Sequence, residues 1–402
     1  MFHPNQHNHH GTHPFTRHTR NSHANYNPYH QPPMKKLYYA GLIALGLFEI
    51  LNVYFIMPMP GSQQRETLDV AYFLYTSRWF FRGLFLLLIL ISARSAFRTL
   101  QRWIPIVAAL PVLLIVYFFN FQMTADHMFL QPATLTFRSK AESALSDSSL
   151  VIAVSDGREA KAYPIRYIQY HHQVRDSLGS TPIMVTYCNV CRTGRVFQPV
   201  VDGRPENFRL VGMDHFNAMF EDNSTGSWWR QATGEAVAGP LKGTVLPAVH
   251  STQLTLQRFF YLYPFGKVMQ ADVVFKDSYD TLGRFEKGKS RGELTRTDSG
   301  SWNAKSWVVG VVVNGHAKAY DWNQLKEVRI VHDSLGSIPI VVTLASDNQS
   351  FAVFQRPARA QFVMQNDSLI SDQGQAELKS LPAYQEFWHS WKQFHPDTEV
   401  YK

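Results

Sequence analysis

The sequence predicts N-terminal membrane helices followed by an α+β protein, a tandem duplicated, mainly antiparallel β domain with short helices. Three observations predict it. Residues 37–122 contain three long apolar runs, residues 151–197 match residues 308–354, and the later chain alternates short apolar stretches with Gly-containing turns.

Charge divides the chain in the same way. The 402 residues carry 39 Lys and Arg against 31 Asp and Glu, a formal net charge of +8. Residues 1–122 hold ten of the basic and three of the acidic residues, so +7 falls there and +1 on the rest. The basicity is not a domain property, and no aromatic-interleaved basic stripe occurs, which argues against a nucleic-acid partner. Two cysteines exclude a disulfide-stapled scaffold and any site of four thiolates.

Residues 1–36 carry eight histidines among Asn, Pro and Thr and no acidic residue. This composition buries too little apolar surface to fold, so a disordered His-rich tail is expected. The membrane part follows over residues 37–122 and makes the lipid bilayer the first expected partner. Residues 37–58 are long enough to span, with Glu49 and Asn52 needing neighbours other than lipid. Residues 70–97 read as one helix, with Arg78 and Arg82 near one end. Residues 103–121 form the third span, with Trp103 at one end and Tyr117, Phe118 and Phe119 at the other, as suits two headgroup zones.

Arginine placement sets the expected orientation. Lys35 and Lys36 precede the first span, and Arg94, Arg98 and Arg102 fill the second connection. In the first connection Arg65 is balanced by Glu66 and Asp69. The positive-inside rule then puts the N-terminus in the cytoplasm and everything after the third span outside it, as in a bacterial inner (plasma) membrane protein with an extracytoplasmic domain.

The domain repeats itself. At an offset of 157, 18 of 47 positions are identical, including Ala160-Lys161-Ala162-Tyr163 against Ala317-Lys318-Ala319-Tyr320 and Asp176–Ser180 against Asp333–Ser337. Tyr263-Pro264 resembles His395-Pro396 at an offset of 132, so the second unit is shorter. The expected units are 145–275 and 300–402. In the first, hairpins are expected about Ser155-Asp156-Gly157 and Asp202-Gly203, the second joining 195–201 to 207–211. A helix is expected over 164–174, strands over 183–187, 228–237 and 244–249, and a closing helix over 254–263.

Cys188-Asn189-Val190-Cys191 is the sharpest chemical feature. Two thiols so spaced can close a disulfide, ligate a metal or cycle between dithiol and disulfide. Turn-like residues follow, so the pair is expected on a loop between strands. Further ligands would come from His171 or from His215, beside Met213 and Asp214, giving a soft site suited to copper or zinc. The second unit has Ala345, Asn348 and Val328 at the places of Cys188, Cys191 and His171. The fold therefore does not need the set, and one copy keeps it. The alternative is a non-enzymatic envelope binding or scaffold module with Cys188–Cys191 as a structural disulfide. Trp228, Arg230 and Glu235 form a second candidate, a binding surface, in a segment absent from the shorter unit.

These residues resemble a known family. Ala162-Tyr163-Pro164, Tyr170-His171, Asp176, Gly179, Pro182, Val185-Thr186-Tyr187-Cys188 and Cys191 are similar to the pattern of the domain-of-unknown-function 3179 family. Ser227-Trp228, Gly234-Glu235, Ala238-Gly239-Pro240 and His395-Pro396-Asp397-Thr398 continue it, over residues 145–402. The resemblance implies a domain type often membrane-anchored or secreted, with no assigned activity. Tyr170 stands where the family usually has Trp, and Arg192 where Gly commonly follows the second Cys. Arg192 is expected to favour thiolate in the pair.

Overall fold

The computed structural model describes residues 33–98, 100–372 and 378–402. Most of the expected His-rich tail lies outside them. Its last residues do not: the first helix begins at Pro33, with proline in the first turn, where its missing N–H costs no hydrogen bond.

Three helices, Met34–Tyr54, Arg78–Ala96 and Trp103–Gln122, are long and apolar enough to cross a membrane. Glu49 is 1% exposed and faces the other helices, as its charge requires. Its Oε1 accepts from Arg82 Nε at 2.7 Å, and its Oε2 accepts from Arg82 Nη2 at 2.8 Å and Asn120 Nδ2 at 2.9 Å. The second of these helices is shorter than its apolar run suggested. The chain breaks at Ser77, and Leu68–Thr76 is a separate short helix. Two of its aromatic residues face the domain: Tyr72 donates to the Gly226 carbonyl and packs edge-on against Trp228 at 5.0 Å, and the Tyr75 ring lies 5.3 Å from the same Trp.

The C-terminal region is β-rich and mostly antiparallel, with short helices. In the first unit, Leu150–Ser155 and Ala160–Pro164 form the expected hairpin, and Ser251–Thr255 and Lys267–Met269 flank it. Helix Ile165–His171 leads to a second sheet of Gln173–Leu178, Thr181–Cys188 and Thr193–Phe197. The helix is shorter than expected because the chain turns at His172, which takes a positive φ of 60°.

Residues 307–400 repeat these pairings in register. Val151 pairs with Leu254 and Val308 with Glu386, while Lys161 pairs in parallel with Lys267 and Lys318 with Glu399. Helices Ile165–His171 and Trp322–Val328 are 157 apart, and Leu256–Leu262 and Trp388–Phe394 are 132 apart. The shared Ala-Lys-Ala-Tyr and Asp-Ser-Leu-Gly-Ser segments form one clip, built in both units. Lys161 Nζ and Tyr163 Oη reach Asp176 Oδ2 at 3.0 and 2.6 Å. Lys318 Nζ and Tyr320 Oη reach Asp333 Oδ2 at 2.8 Å each. The most repeated residues thus hold the two sheets of each unit together.

The first unit carries an extra four-stranded sheet of Phe208–Asp214, Asn217–Asp222, Trp228–Arg230 and Ala236–Ala238. Asp202-Gly203 turns only the two-residue strands Val200–Val201 and Arg204–Pro205. Phe208–Asp214 pairs forward with Asn217–Asp222 instead of back, because that pairing buries Phe208, Leu210 and Phe220 in a shared core. Residues 244–249 make only isolated bridges and no strand. The extra sheet docks on the apolar N-terminal helices and their connections. Met213 N donates to the Ile56 carbonyl at 2.7 Å, and a Cβ on Gly212 would lie 2.4 Å from that oxygen. Only glycine permits this approach.

Candidate thiol site

Strand Thr181–Cys188 ends on the first thiol, and Cys188 forms the last pair of its ladder with Thr193. The pair therefore lies on a loop between antiparallel strands, so backbone N–H groups rather than a helix terminus set its electrostatics. Both cysteines are free thiols and fully buried.

The two sulfurs differ. Burial works to raise the Cys188 thiol, but hydrogen bonds outweigh it: the Cys191 side chain and the backbone N–H groups of Cys191, Ala218 and Val190 donate to it and hold it below its ordinary value. Cys191 goes the other way. Burial pushes it well above the usual thiol range, and its hydrogen bond to Cys188 and the charge there push it further, against Ser390 and Lys305.

The N–H of Ala218 reaches the sulfur because the chain turns tightly at Asp214–Asn217. His215 and Phe216 both take positive φ, 48° and 66°, a geometry usually given to Asn-Gly. Such strain, about 1–3 kcal/mol per residue, persists only where the surroundings hold it. Here Phe216 N donates to Gln63 Oε1 at 3.1 Å, and His215 lies 2.7 Å from Asp214 and 3.4 Å from Glu66. The Phe216 carbonyl lies 3.5 Å from Cys188 Sγ and accepts from it while it is protonated. The connection after the first apolar helix thus braces the turn over the thiol.

The second unit supplies the other wall. Phe387 N donates to the Cys191 carbonyl at 2.9 Å, and Lys305 Nζ to the Val190 carbonyl at 2.7 Å. His389 Nε2 lies 3.1 Å from Lys305 Nζ. Burial, then the charge of Lys305, pushes His389 down to about 4, so its imidazole is neutral at ordinary pH. Lys305, Ser390 and His389 were not found from the sequence; they lie more than 110 residues from the cysteines and share no motif with them.

The expected imidazole ligands are not at the sulfurs. His171 has its ring nitrogens on the Leu130 carbonyl, at 2.5 Å, and on Tyr279 Oη, at 2.6 Å, and burial lowers it. His215 is turned to Asp214 and Glu66; its hydrogen bond to Asp214 raises it. Among the described residues no three His, Cys, Asp or Glu side chains gather as a metal site. The copper or zinc set of Cys188, Cys191, His171 and His215 is not assembled. Arg192 is also not the cation of the thiols. Its guanidinium leaves the loop for Gln385 Oε1 at 2.8 Å and lies over the Trp307 ring at 3.7 Å.

The other candidate is not an exposed surface. Trp228 and Trp229 are 0% and 1% exposed, and their Nε1 atoms donate to Glu221 and Asp222. Arg230 Nε donates to Asp214 Oδ2 at 2.7 Å, with Glu235 further away at 3.6 Å. Burial works against the Asp214 charge, but His215 and Arg230 outweigh it and hold the carboxyl low. The segment seals the contact between the extra sheet and the N-terminal helical part.

A family model described as "Protein of unknown function (DUF3179)" matches residues 131–398. No curated protein and no solved structure matches the chain.

Proposed function

We propose that this chain, which belongs to the DUF3179 family of proteins of unknown function, is a membrane-anchored thiol–disulfide redox protein with Cys188 as its nucleophile. The asymmetry of the pair carries the reading: hydrogen bonds favour thiolate on Cys188 and a proton on Cys191. The thiolate is the attacking form in thiol–disulfide exchange.

Cys188 attacks one sulfur of a substrate disulfide. A mixed disulfide forms, and the first substrate thiolate leaves and takes a proton from solvent. Cys191 then loses its proton to solvent, with Lys305 steadying the thiolate, and attacks the Cys188 sulfur. The second substrate thiol leaves. Two electrons have passed to the substrate, and a dithiol donor restores the pair. Asn189, next to Cys188 in the chain, is half-buried and borders a cleft of about 210 Å³ with Gln169, Arg284 and Arg291. A small disulfide approaches there as the loop moves.

The same reading places the domain outside the cytoplasm of a bacterial inner membrane, with the N-terminus inside. Lys35 and Lys36 stand at the start of the first helix, and arginines fill the second connection. The first connection packs on the domain through Ile56, Gln63 and Tyr72, consistent with both lying on one side of the bilayer. We further infer that the two units arose by duplication, supported by their shared registers.

Full burial of both sulfurs favours a second reading, a scaffold in which the pair closes a structural disulfide. Alkylation of the full chain in lipid nanodiscs separates the two. Iodoacetamide labelling from pH 5 to 9, located by mass spectrometry, should modify Cys188 with a midpoint below the ordinary thiol value of about 8.5. A disulfide that glutathione does not reduce, or thiols that never react, would support the scaffold.

A further inference from the structure

The two units meet at two junctions. At one, Thr193–Phe197 of the first faces Ala383–Phe387 of the second; at the other, Phe351–Gln355 faces Ser251–Thr255. These are equivalent places at offsets of 157 and 132. The first junction is filled. Arg195 and Glu386 form a buried ion pair, Ser390 Oγ donates to Glu386 Oε2 at 3.0 Å, and the buried Cys188 pairs with Thr193 at the start of the same strand. At the second junction the corresponding residues are Ala352, Leu254, Arg258 and Ala345. Ala352 stands where Arg195 fills the first junction, and a cavity of about 520 Å³ opens beside it.

We propose that this cavity is a binding site for an amphipathic organic anion. Its volume and mixed lining suit a small organic ligand, for which about 300–1,000 Å³ is usual. Leu254, Leu262, Phe354, Met364 and Leu369 supply an apolar wall for the body of the ligand. The hairpin of Phe362–Gln365 and Ser368–Ser371 forms part of that wall. Arg258 receives the head group. Its Nη2 donates to the Asp367 carbonyl at 2.6 Å, and among the described residues its Nε and Nη1 make no hydrogen bond. Asp367 is the one acidic residue in the lining, and its carboxylate already accepts from Ser346 N and Oγ at 2.7 Å each. The cavity therefore offers one cation with open donors and an acid already engaged, which favours an anion over a neutral ligand.

The test uses the full chain in lipid nanodiscs, with 4-phenylbutyrate and its neutral amide as probes and empty discs as background. Saturable binding of 4-phenylbutyrate is expected by ligand-observed NMR. Ala352→Phe fills the cavity and should weaken both probes by about tenfold or more. Arg258→Gln should weaken the carboxylate by about tenfold and leave the amide within about twofold. Cys188→Ser/Cys191→Ser should leave binding unchanged, which separates this site from the thiol chemistry. No binding above empty discs, or equal loss of both probes in Arg258→Gln, overturns the proposal. If Ala352→Phe does not fold, the Arg258→Gln comparison decides alone.

Discussion

Gln253 Nε2 donates to Gln385 Oε1 at 2.9 Å, joining two residues that hold the same place in the closing strands of the two units. Gln385 Oε1 also accepts from Arg192 Nε, one residue beyond Cys191. The thiol loop is therefore anchored across the junction, and its chemistry depends on both units being in place.

The Arg195–Glu386 pair at that junction is buried, with side chains 6% and 1% exposed. Glu386→Ala should cost about 3–5 kcal/mol by leaving a buried guanidinium unpaired. Arg195→Ala/Glu386→Leu copies Ala352 and Leu254 of the other junction and should be less destabilised than the single variant. Thermal melting of the full chain in nanodiscs, followed by tryptophan fluorescence, checks the order.

The Lys–Tyr–Asp clips are independent copies. Asp176→Asn and Asp333→Asn should each lower stability by about 1–3 kcal/mol, and their effects should add. Limited proteolysis with melting, on single and double variants, reads both the size and the additivity.

Glu286 should make stability fall with pH. Burial pushes its carboxyl from an ordinary value of 4.5 up to about 7, against the Arg166 N–H that donates to it and the charges of Arg166, Arg192 and Lys287. Between those values the folded chain holds a proton that the unfolded chain has lost. Stability therefore declines as pH rises from 4.5 to 7 and levels off above. Glu286→Gln should remove that decline and gain about 3 kcal/mol at most at pH 8, measured by melting across the range.

Among the apolar N-terminal helices, Arg82→Met should strongly destabilise the packing, because the buried Glu49 loses both guanidinium hydrogen bonds. Glu49→Gln/Arg82→Met should recover much of the loss. Yield and melting of the purified chain give the comparison.

The sequence carried the architecture further than the chemistry. The apolar runs marked three helices, and Ser155-Asp156-Gly157 marked the first hairpin, because such patterns depend on neighbours in the chain. Residues 70–76 misled, since Tyr72 and Tyr75 are as apolar as a span but face Trp228 and Glu221. No strand was expected at Gln173–Leu178, because Gln, Arg, Asp and Ser on an outer sheet strand carry no apolar alternation. At the site the cysteines were legible from spacing alone. Their neighbours Lys305 and Ser390 were not, because the junction between units brings them there. His171 and His215 were plausible by proximity in sequence, yet Tyr279 and Asp214 hold them elsewhere.

Trapping a mixed disulfide tests the central claim most directly. Full-length Cys191→Ser chain in nanodiscs, treated with oxidised glutathione and weighed intact, should carry one glutathione on Cys188. The unmodified chain should instead form Cys188–Cys191 disulfide and release the glutathione, and Cys188→Ser should remain unmodified. No adduct on Cys191→Ser, or an equal adduct on Cys188→Ser, would contradict Cys188 as the nucleophile.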